Sequence, residues 1–134
     1  MIRAALDKQL LVTVDNQVGV LAHLIEVISL AGINMVAICA YEVANQGIIM
    51  IVTEDNEKAK DLLTAKGYHV REEEVVVLTI ENKPGALQTL TQRIADAGID
   101  VTLIYGSVEK NLSATRIILL SQYNNAILKA LKIS

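Results

Sequence analysis

The chain has 134 residues, 52% of them hydrophobic but none Phe or Trp, and 12 Lys+Arg against 15 Asp+Glu give a net charge of −3. That aliphatic content supplies a core for one ordinary domain or two small ones and argues against disorder. The acidic balance argues against a nucleic-acid or anionic-membrane surface, and four Tyr as the whole aromatic complement leave little to stack bases on. A single Cys excludes an internal disulfide and a multi-Cys zinc site.

At the N-terminus, Arg3, Asp7 and Lys8 bring charge too early for a signal-peptide apolar region, and the apolar run over 33–43 is broken by Asn34 and Glu42, well short of the ~20 residues of a membrane span. A cytoplasmic protein is expected. Residues 10–14 are rich in β-branched side chains and predict a strand, followed by a turn at Asp15-Asn16-Gln17-Val18-Gly19. Leu21, Leu24, Ile25 and Ile28 then share one helical face, and Gly32 stops the helix. Residues 35–43 and 48–53 flank Ala44-Asn45-Gln46-Gly47 as a hairpin. A second helix over 56–66 ends at Gly67, and 68–71 predicts a closing strand. Glu72-Glu73-Glu74 reads as a solvated junction.

The same order then begins again. Residues 77–100 match residues 11–34 at an offset of 66 without a gap. Thr13/Thr79, Asn16/Asn82, Gly19/Gly85, Leu21/Leu87, Leu24/Leu90, Ile28/Ile94 and Ala31-Gly32-Ile33/Ala97-Gly98-Ile99 are identical pairs. Strands are predicted over 75–80, 101–108 and 114–121, with helices beginning near Ala86 and Tyr123. The fold class is therefore α+β: two ferredoxin-like (βαββαβ) modules in tandem, 8–73 and 74–134, each an antiparallel sheet with helices on one face. In the second module the fourth strand is short or missing: either Lys132-Ile133-Ser134 is its remnant, or another segment such as 2–6 fills the edge.

A strand ending in Asp/Glu-Asn, a Val/Pro-Gly-x-Leu turn and a helix closing in Ala-Gly-Ile-Asn/Asp together resemble the ACT domain. Asp15-Asn16-Gln17-Val18-Gly19-Val20-Leu21 with Ala31-Gly32-Ile33-Asn34 carries the pattern once. Glu81-Asn82-Lys83-Pro84-Gly85-Ala86-Leu87 with Ala97-Gly98-Ile99-Asp100 carries it again. Val18 departs from the proline common at that place. The resemblance covers about 8–131 and implies a regulatory module that binds a small ligand, usually an amino acid, at an interface between paired ACT domains. A tandem pair with no catalytic domain is similar to stand-alone ACT sensors.

The turn residues suit that chemistry in their own right. A helix N-terminus receives carboxylates, and Gly19 and Gly85 clear a side chain from it. Pro84 is read as the first helical position, where its missing N–H costs nothing. Asn16 and Asn82 both donate and accept, and Asp15 or Glu81 can bind an ammonium. Asn34-Met35 and Asp100-Val101 are expected to begin strands beside these loops. The candidate ligand residues are thus Asp15, Asn16, Val18, Gly19, Val20, Leu21, Asn34 and Met35 in one copy and Glu81, Asn82, Pro84, Gly85, Ala86, Leu87, Asp100 and Val101 in the other. The competing reading of the same residues is ordinary helix capping.

Other residues point to structure. Cys39, on a strand, reads as an inert buried thiol, and His23 and His69 lack the companions of a metal site, so no catalytic group, metal or cofactor is expected. A phosphate-handling enzyme of this fold would need an Arg in the loop after its first strand, where Arg3 and Arg71 do not fall. The near-continuous apolar runs over 35–40, 48–52 and 75–78 suit strands buried on both faces, and a partner chain covering the sheet makes a homodimer the expectation. The alternative function is a regulatory subunit for a partner enzyme, an interaction module whose ligand sites are degenerate.

Overall fold

The computed structural model describes residues 2–107 and 110–132. Its elements, in chain order, are β1 (Ile2–Asp15), α1 (Val20–Leu30), β2 (Met35–Val43), β3 (Gln46–Thr53), α2 (Asn56–Ala65), β4 (His69–Glu81), α3 (Ala86–Asp96), β5 (Leu103–Ser107), β6 (Ala114–Leu120) and α4 (Asn124–Leu131). Two compact units divide the chain: Lys8–Glu73, and Met1–Asp7 with Glu74–Ser134.

In the Lys8–Glu73 unit the strand order is β2-β3-β1-β4, with β3 antiparallel to both β1 and β2. This is the ferredoxin-like arrangement. Leu10, Val12 and Val14 of β1 and Ile49 and Ile51 of β3 meet Leu24 and Ile28 of α1 and Ala59 and Leu63 of α2. In the other unit β4, β6 and β5 follow one another, and residues 2–7 of β1 take the fourth place beside β4. Ile2 and Ala4 pack on its core of Val76, Leu78, Leu90, Ile94, Leu119, Ile127 and Leu131. The edge of the second module is thus filled from the front of the chain. Each helix contributes a buried pair four residues apart (24/28, 59/63, 90/94, 127/131), the spacing that keeps two side chains on one face.

Local rules explain the ends of the elements. Gly32 (φ 73°) and Gly98 (φ 72°) follow α1 and α3 in the left-handed region. Gly32 N–H donates to Ser29 O at 3.0 Å and Ile33 N–H to Ile28 O at 3.4 Å, a Schellman closure repeated by Gly98 and Ile99. The β2–β3 hairpin turns on Ala44 and Asn45, both with positive φ (51° and 64°), as a two-residue mirror-image turn requires.

Several expectations are corrected. β1 and β4 are longer than the predicted strands, and Glu72-Glu73-Glu74 lies inside β4. There Glu72 pairs with Lys60 (3.6 Å), while Glu73 pairs with Arg71 (3.8 Å) and accepts from buried Gln9 at 3.4 Å. The strand predicted over 101–108 is Leu103–Ser107, which leaves Val101 outside it. Val108, Glu109, Ile133 and Ser134 lie outside the described residues. Burial follows the expectation for β3 and β4: Met50, Val52, Val75 and Ile118 belong to neither helix-facing cluster and are at most 3% exposed. β2 is the opposite case: an edge strand of half-buried and exposed residues, with Ile38 43% exposed and Cys39 intermediate rather than buried. Among the described residues no helix is long and apolar enough to cross a membrane.

Candidate functional site

Two equivalent turns lead from a strand into a helix. In Lys83-Pro84-Gly85-Ala86 the Ala86 N–H donates to Lys83 O at 3.3 Å and Gly85 sits at φ 86°, ψ −12°. In Gln17-Val18-Gly19-Val20 the Val20 N–H donates to Gln17 O at 3.2 Å and Gly19 sits at φ 91°, ψ −7°. Both are type II turns, which need positive φ at the third residue and favour Pro at the second. Pro84 therefore belongs to the turn and precedes the helix; it is not the first helical residue. Gly19 and Gly85 are held by conformation, since a Cβ at either would meet nothing within 4 Å. A bulky substitution there perturbs the turn before it perturbs any ligand.

The capping reading also fails. Gly19 and Gly85 are the N-caps, and no side chain caps α1 or α3. The polar residues at the strand ends are tied to the neighbouring hairpins instead. Asp15 Oδ1 accepts from Gln46 Nε2 at 2.9 Å, Asn16 N–H donates to Asn45 O at 2.9 Å, and Asn16 Nδ2 donates to Glu42. In the second copy, Asn82 N–H donates to Ser113 O (2.9 Å) and its Nδ2 to Leu112 O (2.8 Å), while Glu81 pairs with Lys83 at 2.9 Å. Val18, Leu21 and Leu87 are exposed, and Val20 and Ala86 pack on their respective cores.

Within a unit, the structure does not bring the residues after the helix stop to the loop. The register sets Asp15 opposite Gln46 and Gln46 opposite Val43, but Met35 opposite Thr53 at the far end of β2 and β3. Asn34 there donates to Glu54 at 3.3 Å. In the other unit Glu81 stands opposite Ala114, whereas Thr102, next to exposed Val101, bonds to Leu120 O, and Asp100 O accepts from Ser121 Oγ at 2.7 Å.

Beside the first loop lies an open cleft of about 570 Å³. Thr13, Asp15, Gln17 and Val20 form one side, Gln46 contributes from β3, and Gly67-Tyr68-His69 form the opposite wall. That wall is placed by the end of α2, where Gly67 N–H donates to Thr64 O (3.0 Å) and Tyr68 N–H to Leu63 O (3.1 Å). Tyr68 Oη and His23 Nδ1 share a hydrogen bond of 2.5 Å, which ties the wall to α1. Sequence reasoning singled out neither Tyr68 nor Gln46 as a site residue; Gly67 marked only a helix stop, and the cleft arises from long-range pairing.

The profile of the ACT domain pair matches residues 6–130. The chain belongs to this family. ACT pairs are a regulatory domain type, and here both members have the ferredoxin-like fold. Among solved structures, protein BT0572 from Bacteroides thetaiotaomicron aligns with a TM-score of 0.88 at 25% identity, covering 96% of this chain and 88% of that one. The regulatory subunit of aspartate kinase from Thermus thermophilus aligns with a TM-score of 0.68 at 16% identity, covering 95% and 93%. The corresponding subunit from Thermus flavus gives 0.65 at 16% identity, covering 96% and 93%. Among curated proteins no sequence matches.

Proposed function

We propose that this ACT pair is a non-catalytic cytoplasmic regulator that binds an amino acid at a β1–α1 loop, where ACT modules of two chains meet in a homodimer. The observation that carries the reading is the cleft beside the first loop. Its size lies in the range of small-molecule sites, and Asp15 keeps a second carboxylate oxygen for an ammonium beyond its bond to Gln46. The first turn of α1 adds a helix N-terminus, uncapped by any side chain, that favours a carboxylate. An amino acid presents both groups a few ångströms apart.

The homodimer supplies what one module lacks. Asn34 and Met35 lie at the opposite end of β2 from the loop, and β2 is an open edge of nine residues. Two such edges paired antiparallel about a two-fold axis would set the start of one β2 beside the end of the other, next to the loop. Ligand that bound one arrangement better would shift the pair toward it and so signal. The likeness to a chain described as a regulatory subunit of aspartate kinase supports a partner enzyme as the receiver of that signal.

Thermal-shift measurements with each of the twenty amino acids test the ligand: a native-state ligand raises the melting temperature by mass action. Light scattering after size exclusion tests the assembly, and a monomer at micromolar concentration refutes the dimer. Silence toward every amino acid, together with an enzyme that co-purifies, returns the alternative of an interaction subunit with degenerate sites.

A further inference from the structure

β2 is the last strand of its sheet, and the hairpin sets the phase of its backbone. The two-residue turn at Ala44-Asn45 makes Val43 and Gln46 a hydrogen-bonded pair. Bonded and non-bonded pairs alternate along an antiparallel ladder, so Tyr41, Cys39 and Ala37 aim their N–H and C=O groups at β3. Ile38, Ala40 and Glu42 aim theirs away from it, and among the described residues no strand lies beyond. Apart from a bulge at its start, β2 carries none of the usual protection of an edge: no Pro, Lys or Arg, and a single charge, Glu42. We infer that two copies of the chain join through this edge with the two-fold axis at Ala40; this deepens the homodimer reading above and rests on it.

The outward residues select the register. A strand added to an edge exchanges bonds only with the residues that face it, so even-numbered positions must meet even-numbered ones and the axis must pass through a residue. With the axis at Ala40, Ala40 meets its own counterpart and Ile38 meets Glu42 on either side: three bonded pairs of two bonds each. An axis at Cys39 or Tyr41 leaves only two bonded pairs among these residues. At Cys39 the next pair would fall on the bulge between Met35 and Ala37, and an axis at Glu42 would set two carboxylates opposite each other. The side chains agree. Small Ala40 lies at the axis, Cys39 faces the exposed Tyr41 at the non-bonded positions, and Ile38 covers the aliphatic stem of Glu42, whose carboxylate accepts from Asn16.

Disulfide trapping of the full chain with diamide, alongside light scattering after size exclusion, tests the register. Each bond trapped passes two electrons and two protons from a pair of thiols to diamide, which becomes the hydrazine. Cys39→Ser with Ala40→Cys sets its thiols on residues about 5.5 Å apart, inside the disulfide range, whereas Cys39 of the unaltered chain lies diagonal to its counterpart at about 7–8 Å. The double variant should therefore give a covalent dimer about tenfold faster than the unaltered chain. Ala40→Pro is the second arm. The N–H it removes points away from β3, so the internal ladder keeps its bonds while the edge loses its centre. That variant should be a monomer at micromolar concentration with an unchanged far-UV spectrum. Trapping through Cys39 as fast or faster, no trapping from chains that remain dimeric, or a dimeric Ala40→Pro overturns this inference and leaves a homodimer standing. A monomeric unaltered chain overturns both.

Discussion

Asn124 provides the sharpest test of how each unit is held together. At the first position of α4 and 7% exposed, its Oδ1 accepts from Ser121 N–H at 2.9 Å and its Nδ2 donates to Glu74 O at 2.9 Å. One side chain thus joins the end of β6 and the start of the helix to the strand where the second module begins. Asn124→Ala leaves two backbone groups without partners, each costing about 1–3 kcal/mol where it stays buried, against about 0.5 kcal/mol returned by the better helix former. The net loss is about 3 kcal/mol, or roughly 10 °C in melting temperature for a chain of this length unfolding in one step. Asn124→Asp adds a sign test. The carboxylate keeps the acceptor but faces Glu74 O, so its folded pKa rises above the unfolded value. The penalty is then absent below the unfolded pKa and complete above the folded one, and this variant should approach wild-type stability as the pH falls through that window. Urea denaturation at neutral and acidic pH measures both effects. A loss under 0.5 kcal/mol for Asn124→Ala at unchanged m-value refutes the clamp.

Other substitutions read single features. Asn56→Ala removes the equivalent clamp to Lys8 O and Thr53 N–H, but Asn56 is more exposed, so chemical denaturation should show a smaller loss of about 1–2 kcal/mol. Ala44→Gly relieves a positive φ of 51° in the hairpin and should stabilise by a few tenths to about 1 kcal/mol, read as a higher denaturation midpoint. Gly106→Ala puts a Cβ 2.5 Å from Ile117 Cδ1 and 2.8 Å from Arg116 O; it should cost about 2 kcal/mol or more, and Ile117→Val should rescue it only in part because the backbone contact remains. Gly85→Ala at φ 86° should cost about 1–2 kcal/mol, and Gly85→Asn less, by the same assay.

What was legible in the sequence was whatever repeats or obeys a short-range rule. The offset of 66 aligned both turns, both α1-type helices and both Schellman glycines, because those depend on residues within one or two turns of each other. Where pairing across the chain decides, local reading stopped short. Residues 2–8 contain Arg3, Asp7 and Lys8 and show no strand pattern of their own; the expectation that 2–6 fills an edge comes from the missing fourth strand, and these residues extend β1 because β4 lies beside them. The Thr53/Asn56 and Ser121/Asn124 clamps recur as Thr/Ser-x-x-Asn at an offset of 68, outside the gapless repeat at 66. The apolar run over 35–40 predicts a doubly buried strand, but β2 is an edge, and its hydrophobic residues remain half-open.

A ferredoxin-like module needs a fourth strand beside its first. In the Lys8–Glu73 unit that strand arrives directly from α2, and the connection it requires, Gly67-Tyr68-His69, becomes a wall of the cleft. In the other unit residues 2–7 pair the same edge, and Ile2 and Ala4 pack on its core. Sheet stability asks that the edge be paired and the core covered, and the chain meets that demand by two routes, one local and one that brings its first residues to β4.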